Sequence, residues 1–337
     1  MQNAKLISLI DQFLDQAIAP GLNLSIFDGH TWQSFSGGKV DDGGVLTSTE
    51  IYYDIASLTK TVVSTCTLDL VNTGVLNLDE KVSPTLKFLE KFPELTLTNL
   101  LNHTSGLNII NRYDKTSNYT PKELDELFFN GNNLTQDQLT EYCYNDLNYI
   151  YLGKFLESKM GQTLDEIISQ FLDKYNLSQI VYNPIQKAIN ETQIAKTDPA
   201  LNAGTVHDEK ARWFGGVSGH AGLFATHTGL QKFTQMWLQN TFGLSLDLYN
   251  LAIVPNNNYK AKIFNQPWLL PESYGLTWRA GRYSRDLNQA GFTGPVIFFD
   301  VDKQTAAVLT CNHTFDGVNT ERRALFQRWV RKLSLMI

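Results

Sequence analysis

The sequence predicts an α/β protein of the α+β kind, in which an antiparallel sheet is flanked by terminal helices and interrupted by an inserted, mainly helical domain. Three observations predict it. Residues 21–37 alternate apolar and polar side chains about a tight Asp28-Gly29 turn. Strand-like runs reappear only after residue 270. Between them, apolar residues recur at the three-to-four spacing of helices. The early and late strands most economically form one sheet, so residues 1–60 and 241–337 are expected to make the sheet domain and 61–240 the helical one, with the functional site at their junction.

In chain order, Met1 to Pro20 carries Leu6, Ile7, Ile10, Phe13, Leu14, Ala17 and Ile18 in helical rhythm and lacks the uninterrupted apolar core of a signal peptide. The hairpin follows, then a Gly- and Asp-rich loop over 37–44 and a short extended piece at 51–54. A helix is expected from Ser57, with Leu58, Val62, Val63, Cys66, Leu70 and Val71 on one buried face, ended by Asn72-Thr73-Gly74. Residues 121–129, 134–142, 148–160, 163–175 and 228–240 also read as helices, the first opened by Thr120-Pro121. Strands are expected over 273–279, 288–294, 296–300 and 305–312, and a closing helix over 320–337.

With 337 residues, 42% of them apolar, the chain can bury a large core. A net charge of −6 and the lack of any basic run of five argue against a nucleic-acid or anionic-membrane binder, so the expected partner is a small molecule or short peptide; a monomer is expected, though the sequence does not fix the oligomeric state. No window approaches eighteen uncharged apolar residues, so no membrane span is expected. Cys66, Cys143 and Cys311 are odd in number and widely spaced, which fits a reducing compartment, the cytoplasm, and supplies no metal-site spacing. No cofactor or metal is expected.

The chemistry centres on Ser57-Leu58-Thr59-Lys60. Residues three apart share a helix face, so the Lys60 ammonium would lie close to the Ser57 hydroxyl. Serine needs a neighbour to take its proton, and lysine becomes that base only when burial or nearby positive charge lowers its pKa. Free N–H groups at a helix start would steady an oxyanion. Alone, the four residues are weak evidence, because a chance Ser-x-x-Lys match is expected in a chain this long and the plain reading of Ser57 is a helix N-cap. A second element, Tyr144-Asn145-Asp146, places a phenol that can relay a proton between serine and leaving group and a carboxylate that can orient Lys60. Tyr142, Tyr144, Tyr149 and Tyr151 also read as a plain aromatic helix surface.

With these segments in order, the chain resembles the serine β-lactamase and penicillin-binding-protein superfamily, in the class C β-lactamase-like branch that includes D,D-peptidases and esterases. The resemblance covers nearly the whole chain. It rests on Ser57-x-x-Lys60, on Leu100-Leu101-Asn102-His103-Thr104-Ser105-Gly106-Leu107, on Tyr144-Asn145-Asp146 with Tyr149-Ile150-Tyr151-Leu152-Gly153, and on the segment from Val206-His207-Asp208 to Gly222-Leu223-Phe224. It implies a β-lactamase/transpeptidase-like fold and acyl transfer through a serine ester. It further implies Ser57 as nucleophile, Lys60 as its base partner, Tyr144 as relay, and Asp146 where Asn is usual. The oxyanion hole would be the N–H groups of Ser57 and Phe292.

The third motif departs from the pattern. Relatives with the tail seen at Gly291-Phe292-Thr293-Gly294 carry His-Thr-Gly or similar where this chain has Gln289-Ala290-Gly291. A cation there would help bind a substrate carboxylate, and neutral Gln289 cannot. A second register, Phe292-Thr293-Gly294, restores the threonine but no cation. Arg279 could supply the missing charge. His207 and Asp208 are expected at the pocket rim or in a plain loop, His103 and His220 in structural roles, and His313 on the surface. The implied function is hydrolysis of a D,D-peptide, a β-lactam-like amide or a small ester, the alternative a degenerate ligand-binding homologue that turns over weakly.

Overall fold

Alternation of side chains across a strand puts Val296 and Phe298 on one face of the sheet and Ile297 and Phe299 on the other, and all four are fully buried. A strand can read as a continuous apolar run only if both faces of its sheet are covered, and here they are. The computed structural model describes residues 2–40, 44–111, 113–115, 118–137, 139, 141–254, 257–258, 270–282 and 284–336. Of the expected segments, residues 41–43 of the Gly-rich loop, 138 and 140, and the end residues Met1 and Ile337 lie outside the described residues.

The sheet has eight strands, all antiparallel to their neighbours, and joins the two ends of the chain as expected. The hairpin Gly21–Phe27 and Trp32–Gly38 forms one edge. Gly21–Phe27 pairs with Thr305–Cys311 in the register Leu24↔Leu309, followed by Val296–Asp300, Ser284–Ala290, Arg279–Arg282, Leu270–Tyr274 and Asn257–Asn258. On one face, the terminal helices Gln2–Asp15 and Thr320–Ser334 pack Leu6, Leu9, Phe13, Phe326, Trp329 and Val330 against Leu24, Phe298 and Leu309. Phe13 meets Trp329 edge-on at 4.8 Å, and the Trp329 indole N–H donates to the Leu9 carbonyl at 2.7 Å. On the other face, Ile297, Phe299 and Val308 meet Trp237 and Trp278 in the larger core shared with the inserted helices.

Several expected elements change. Residues 134–136 are not helical; Leu134–Gln136 is a strand paired with Leu107–Ile109, and the Asp137 N–H donates to the Gly106 carbonyl at 2.8 Å just beyond it. The strand expected over 273–279 is the end of one strand and the start of the next, turned through a Gly275 N–H to Trp278 O bond. The strand expected over 288–294 ends at Ala290, and Gly291 donates to Pro295 O at 2.7 Å in a tight turn. A second sheet, unforeseen, sets Tyr52–Asp54 and Ile180–Tyr182 on either side of Leu223–Thr226.

The helix after Ser57, Thr59–Asn72, is buried all round through Asp69 rather than on one face. Its threonines are tolerated there because their hydroxyls bond back to helix carbonyls, Thr61 to Leu58 O at 2.7 Å and Thr67 to Val63 O at 2.8 Å. The helix is therefore the rigid axis from which the site is built. No helix among the described residues is long and apolar enough to cross a membrane.

Candidate active site

Ser57 lies in a 3-10 turn, Ala56–Leu58, that precedes the α-helix, and the turn is strained: Ala56 has φ +44°. A non-glycine residue in that region costs of order 1–3 kcal/mol and persists only where its surroundings impose it. Asp54 imposes it here. One carboxylate oxygen accepts the Ala56 N–H at 2.8 Å, the other accepts the His207 N–H at 2.7 Å, and its carbonyl accepts the Thr293 hydroxyl at 2.6 Å. One buried residue thus ties the serine turn to the His207 loop and to the end of the third-motif strand. Sequence reading missed it, and a lone Asp two residues before a short turn gave no signal.

Burial pushes the Asp54 carboxyl from 3.8 up to about 6, against the pull of its two N–H partners. The folded chain binds this proton more tightly than the unfolded chain, so the contribution is complete below the ordinary value and lost as pH rises through the folded one. Relative to Asp54→Asn, the wild type is expected to lose about 3 kcal/mol of unfolding free energy between roughly pH 4 and pH 7. Urea titrations across that range check it; a pH-independent difference between the two proteins would remove this assignment.

Lys60 has no exposed surface, and its three N–H bonds find three acceptors: Ser57 Oγ at 3.1 Å, His220 O at 3.1 Å and Asp146 Oδ1 at 2.9 Å. Burial lowers its proton affinity, but the Asp146 carboxylate and then the Tyr144 side chain beside it outweigh burial and hold it above that of an ordinary lysine. Lys60 rests as an ammonium that donates to the serine oxygen, because the residue at the usual Asn position is a carboxylate.

Asp146 opens the helix Asp146–Met160, and Asn145 is its N-cap, accepting the Leu147 N–H at 3.0 Å. A carboxylate in a first helical turn gains from the free N–H groups there. Its second oxygen meets Lys210 at 3.2 Å, and Lys210 also reaches Asp208 at 3.2 Å and Glu209 at 3.5 Å. Against the cost of burial, Lys60, His220 and Lys210 hold the Asp146 carboxyl well below the usual range. His220 is buried between Asp208 Oδ1 at 2.8 Å and Ser218 Oγ at 2.8 Å, and so joins this polar network rather than only filling space. Donor atoms of Asp146, Asp208 and His220 lie within 4.8 Å of one another. They could gather round a metal, but the Lys60 and Lys210 ammoniums already take the carboxylate oxygens it would need. Lys210 was not foreseen, since nothing in a mixed Asp-Glu-Lys run distinguishes it.

Tyr144 stands over this pair. The Lys60 ammonium is 5.0 Å and the Arg279 guanidinium 5.7 Å from its ring centre. Arg279, on the strand next to Ser284–Ala290 and opposite Asn288, lines the same cavity. Gln289 is fully buried and turns its Nε2 toward Tyr144 OH at 3.5 Å and Ser57 O at 3.4 Å, both long contacts. The first register of the third motif fits this placement. In the second, Thr293 would have to face the cleft, yet its hydroxyl is buried on Asp54. A Cβ on Gly291 would stand 2.5 Å from Ile55 O, so only glycine lets the strand end lie against the serine turn. The Ser57 and Phe292 amides donate to no described residue.

These groups open on a cavity of about 360 Å³ lined by Ser57, Tyr144, Asp146, Ala290, Gly291, Phe292 and His207. The His207 ring is 5.2 Å from that of Phe292. His313, expected on the surface, is buried in the cavity wall, its ring 4.6 Å from Phe326 on the closing helix. Arg323 from that helix also lines it, 4.5 Å over Phe292. Helical periodicity could place Phe326 inward, but not beside a loop residue so distant in sequence.

A family model described as beta-lactamase matches residues 6–328. An N-acetylmuramyl-L-alanine amidase of Bacillus subtilis (strain 168) is 27% identical over 326 residues, covering 82% of this chain and 71% of the relative. A putative D-alanyl-D-alanine carboxypeptidase of Escherichia coli O157:H7 is 25% identical over 366 residues, covering 92% and 83%. The structure of the octameric penicillin-binding protein homologue from Pyrococcus abyssi superposes with a TM-score of 0.77 at 18% identity, over 100% of this chain and 77% of that one, and shares its fold.

Proposed function

The chain belongs to the beta-lactamase family, and from that premise we propose that it is a serine hydrolase that carries its acyl intermediate on Ser57. The observation that supports this most is the Ser57 hydroxyl at the cavity wall, 3.1 Å from an ammonium fixed by Asp146 at 2.9 Å. The serine oxygen attacks the substrate carbonyl, whose oxygen takes the negative charge between the Ser57 and Phe292 amides. As the Ser57 O–H breaks, its proton passes to the Tyr144 oxygen while Tyr144 gives its own to the departing group. Lys60, already charged, steadies the developing alkoxide and is not itself the base. Water then repeats the sequence in reverse and frees the acid.

The amidase and carboxypeptidase names of its relatives favour an amide of a short peptide, with a β-lactam-like amide or small ester as further acyl donors. Arg279 and Arg323 supply positive charge that Gln289 does not, and suit a substrate carboxylate. A second reading, a binding homologue that acylates but does not turn over, is favoured by Gln289 and Ala290, which bring neither cation nor hydroxyl to the strand. Incubation with a fluorescent penicillin and with a fluorophosphonate, followed by peptide mapping, is expected to give one adduct per chain, on Ser57, alongside steady hydrolysis of p-nitrophenyl acetate. No adduct, or an adduct elsewhere, overturns the proposal. A Ser57 adduct that persists without hydrolysis selects the second reading.

A further inference from the structure

His103 belongs to the Asn102-His103-Thr104 loop, is fully buried and has φ +59°, a strained conformation for a residue other than glycine. The loop around it is pinned: Thr104 N–H donates to Asn99 O at 3.0 Å and the Thr104 hydroxyl to Asn102 Oδ1 at 2.7 Å. From this fixed point His103 reaches both neighbours of Tyr144. Its carbonyl accepts the Cys143 N–H at 2.9 Å, and its Nδ1 accepts the Asn145 N–H at 3.3 Å and lies 3.2 Å from Asn148 Nδ2. Its ring packs on the ring of Tyr144 itself, centre to centre 4.5 Å and tilted 36°.

We propose that His103 is a positioning residue that sets the Tyr144 phenol against Ser57 by holding the backbone on both sides of it and the ring from beneath. The inference rests on the reading of Tyr144 as the proton relay. Three contacts from one rigid residue fix the backbone and the ring of a tyrosine whose side chain is otherwise half exposed to the cavity. The imidazole can serve as acceptor throughout, because burial and then the Lys60 charge hold it neutral, well below its ordinary value. The proton then sits on Nε2, an assignment that follows from the two donors facing Nδ1. A displacement of about 1 Å at a reacting group can cost on the order of 10²-fold in rate, which is the effect this geometry guards against.

Two substitutions separate the contacts. His103→Phe keeps a ring under Tyr144 and removes the acceptor for Asn145. His103→Asn tolerates the positive φ and keeps an acceptor at the Nδ1 position but loses the ring. On p-nitrophenyl acetate, His103→Phe is expected to lower kcat about 10²-fold with KM within about twofold, and His103→Asn to recover part of the loss. In a Tyr144→Phe background His103→Phe should add little further loss, since the group it positions is already gone. Amide hydrogen exchange of the peptide spanning 143–145 should quicken in His103→Phe and less in His103→Asn, a readout that needs no activity. Unchanged exchange, or the same rate loss with and without the Tyr144 hydroxyl, overturns the proposal. Full activity of Tyr144→Phe would instead remove the relay reading while exchange still judges His103 as a brace.

Discussion

Ser57→Ala is expected to reduce ester hydrolysis to the uncatalysed background, a loss of at least about 10⁴-fold in kcat, with the fold intact. The hydroxyl is part-exposed at the cavity wall and its one hydrogen bond to a described side chain is the one it accepts from Lys60. Removing it leaves Lys60 with Asp146 and the His220 carbonyl as partners, so no charge is stranded. Thermal unfolding should therefore shift by only a few degrees, as for a loss of about 1 kcal/mol. Initial rates on p-nitrophenyl acetate with a differential scan of the same samples make the measurement. Residual activity within about tenfold of wild type would place the nucleophile elsewhere.

Lys60→Met is expected to cost at least about 10³-fold in kcat. The protein should survive it, because Asp146 keeps Lys210 at 3.2 Å as a second counter-ion. The His220 carbonyl loses its buried donor, which costs about 1–3 kcal/mol. The pH dependence then separates two roles for Lys60. A neutral lysine acting as base would be replaced in part by hydroxide, so the variant would gain on the wild type as pH rises. An ammonium that steadies the serine oxygen has no such substitute, and the deficit should stay constant from about pH 6 to 9. The resting geometry, with all three N–H bonds donated and Asp146 raising its proton affinity, predicts the constant deficit. A deficit that closes with rising pH would return Lys60 to the role of base.

The parts of this molecule that were legible in its sequence are those that local spacing determines. The hairpin turns at Asp28-Gly29, the terminal helices show their apolar rhythm, and Val296–Asp300 reads as a strand because its side chains fill both faces of the sheet. Errors fell where a short stretch takes its conformation from a distant partner. Leu134–Gln136 became a strand only because Leu107–Ile109 lies beside it, and His313 was drawn inside by Phe326. The three-stranded sheet through Leu223–Thr226 was invisible for the same reason, since strands of three or four residues have too few positions to show a period.

The site divides in the same way. By itself the sequence placed Ser57 and Lys60 one turn apart and Gln289 where a cation is usual, and only through the family resemblance did it set Tyr144 and Asp146 beside them. Only the tertiary structure decided what those groups are once assembled. It shared the Asp146 carboxylate between Lys60 and Lys210, tied the strained serine turn through Asp54 to the His207 loop, and put His103 under Tyr144. The physical reason is that spacing along a helix sets which side chains are neighbours, whereas charge state and strain are set by whatever else is buried with them. Lys210, His207 and His103 came from chain segments that no local pattern connects to the residues they touch.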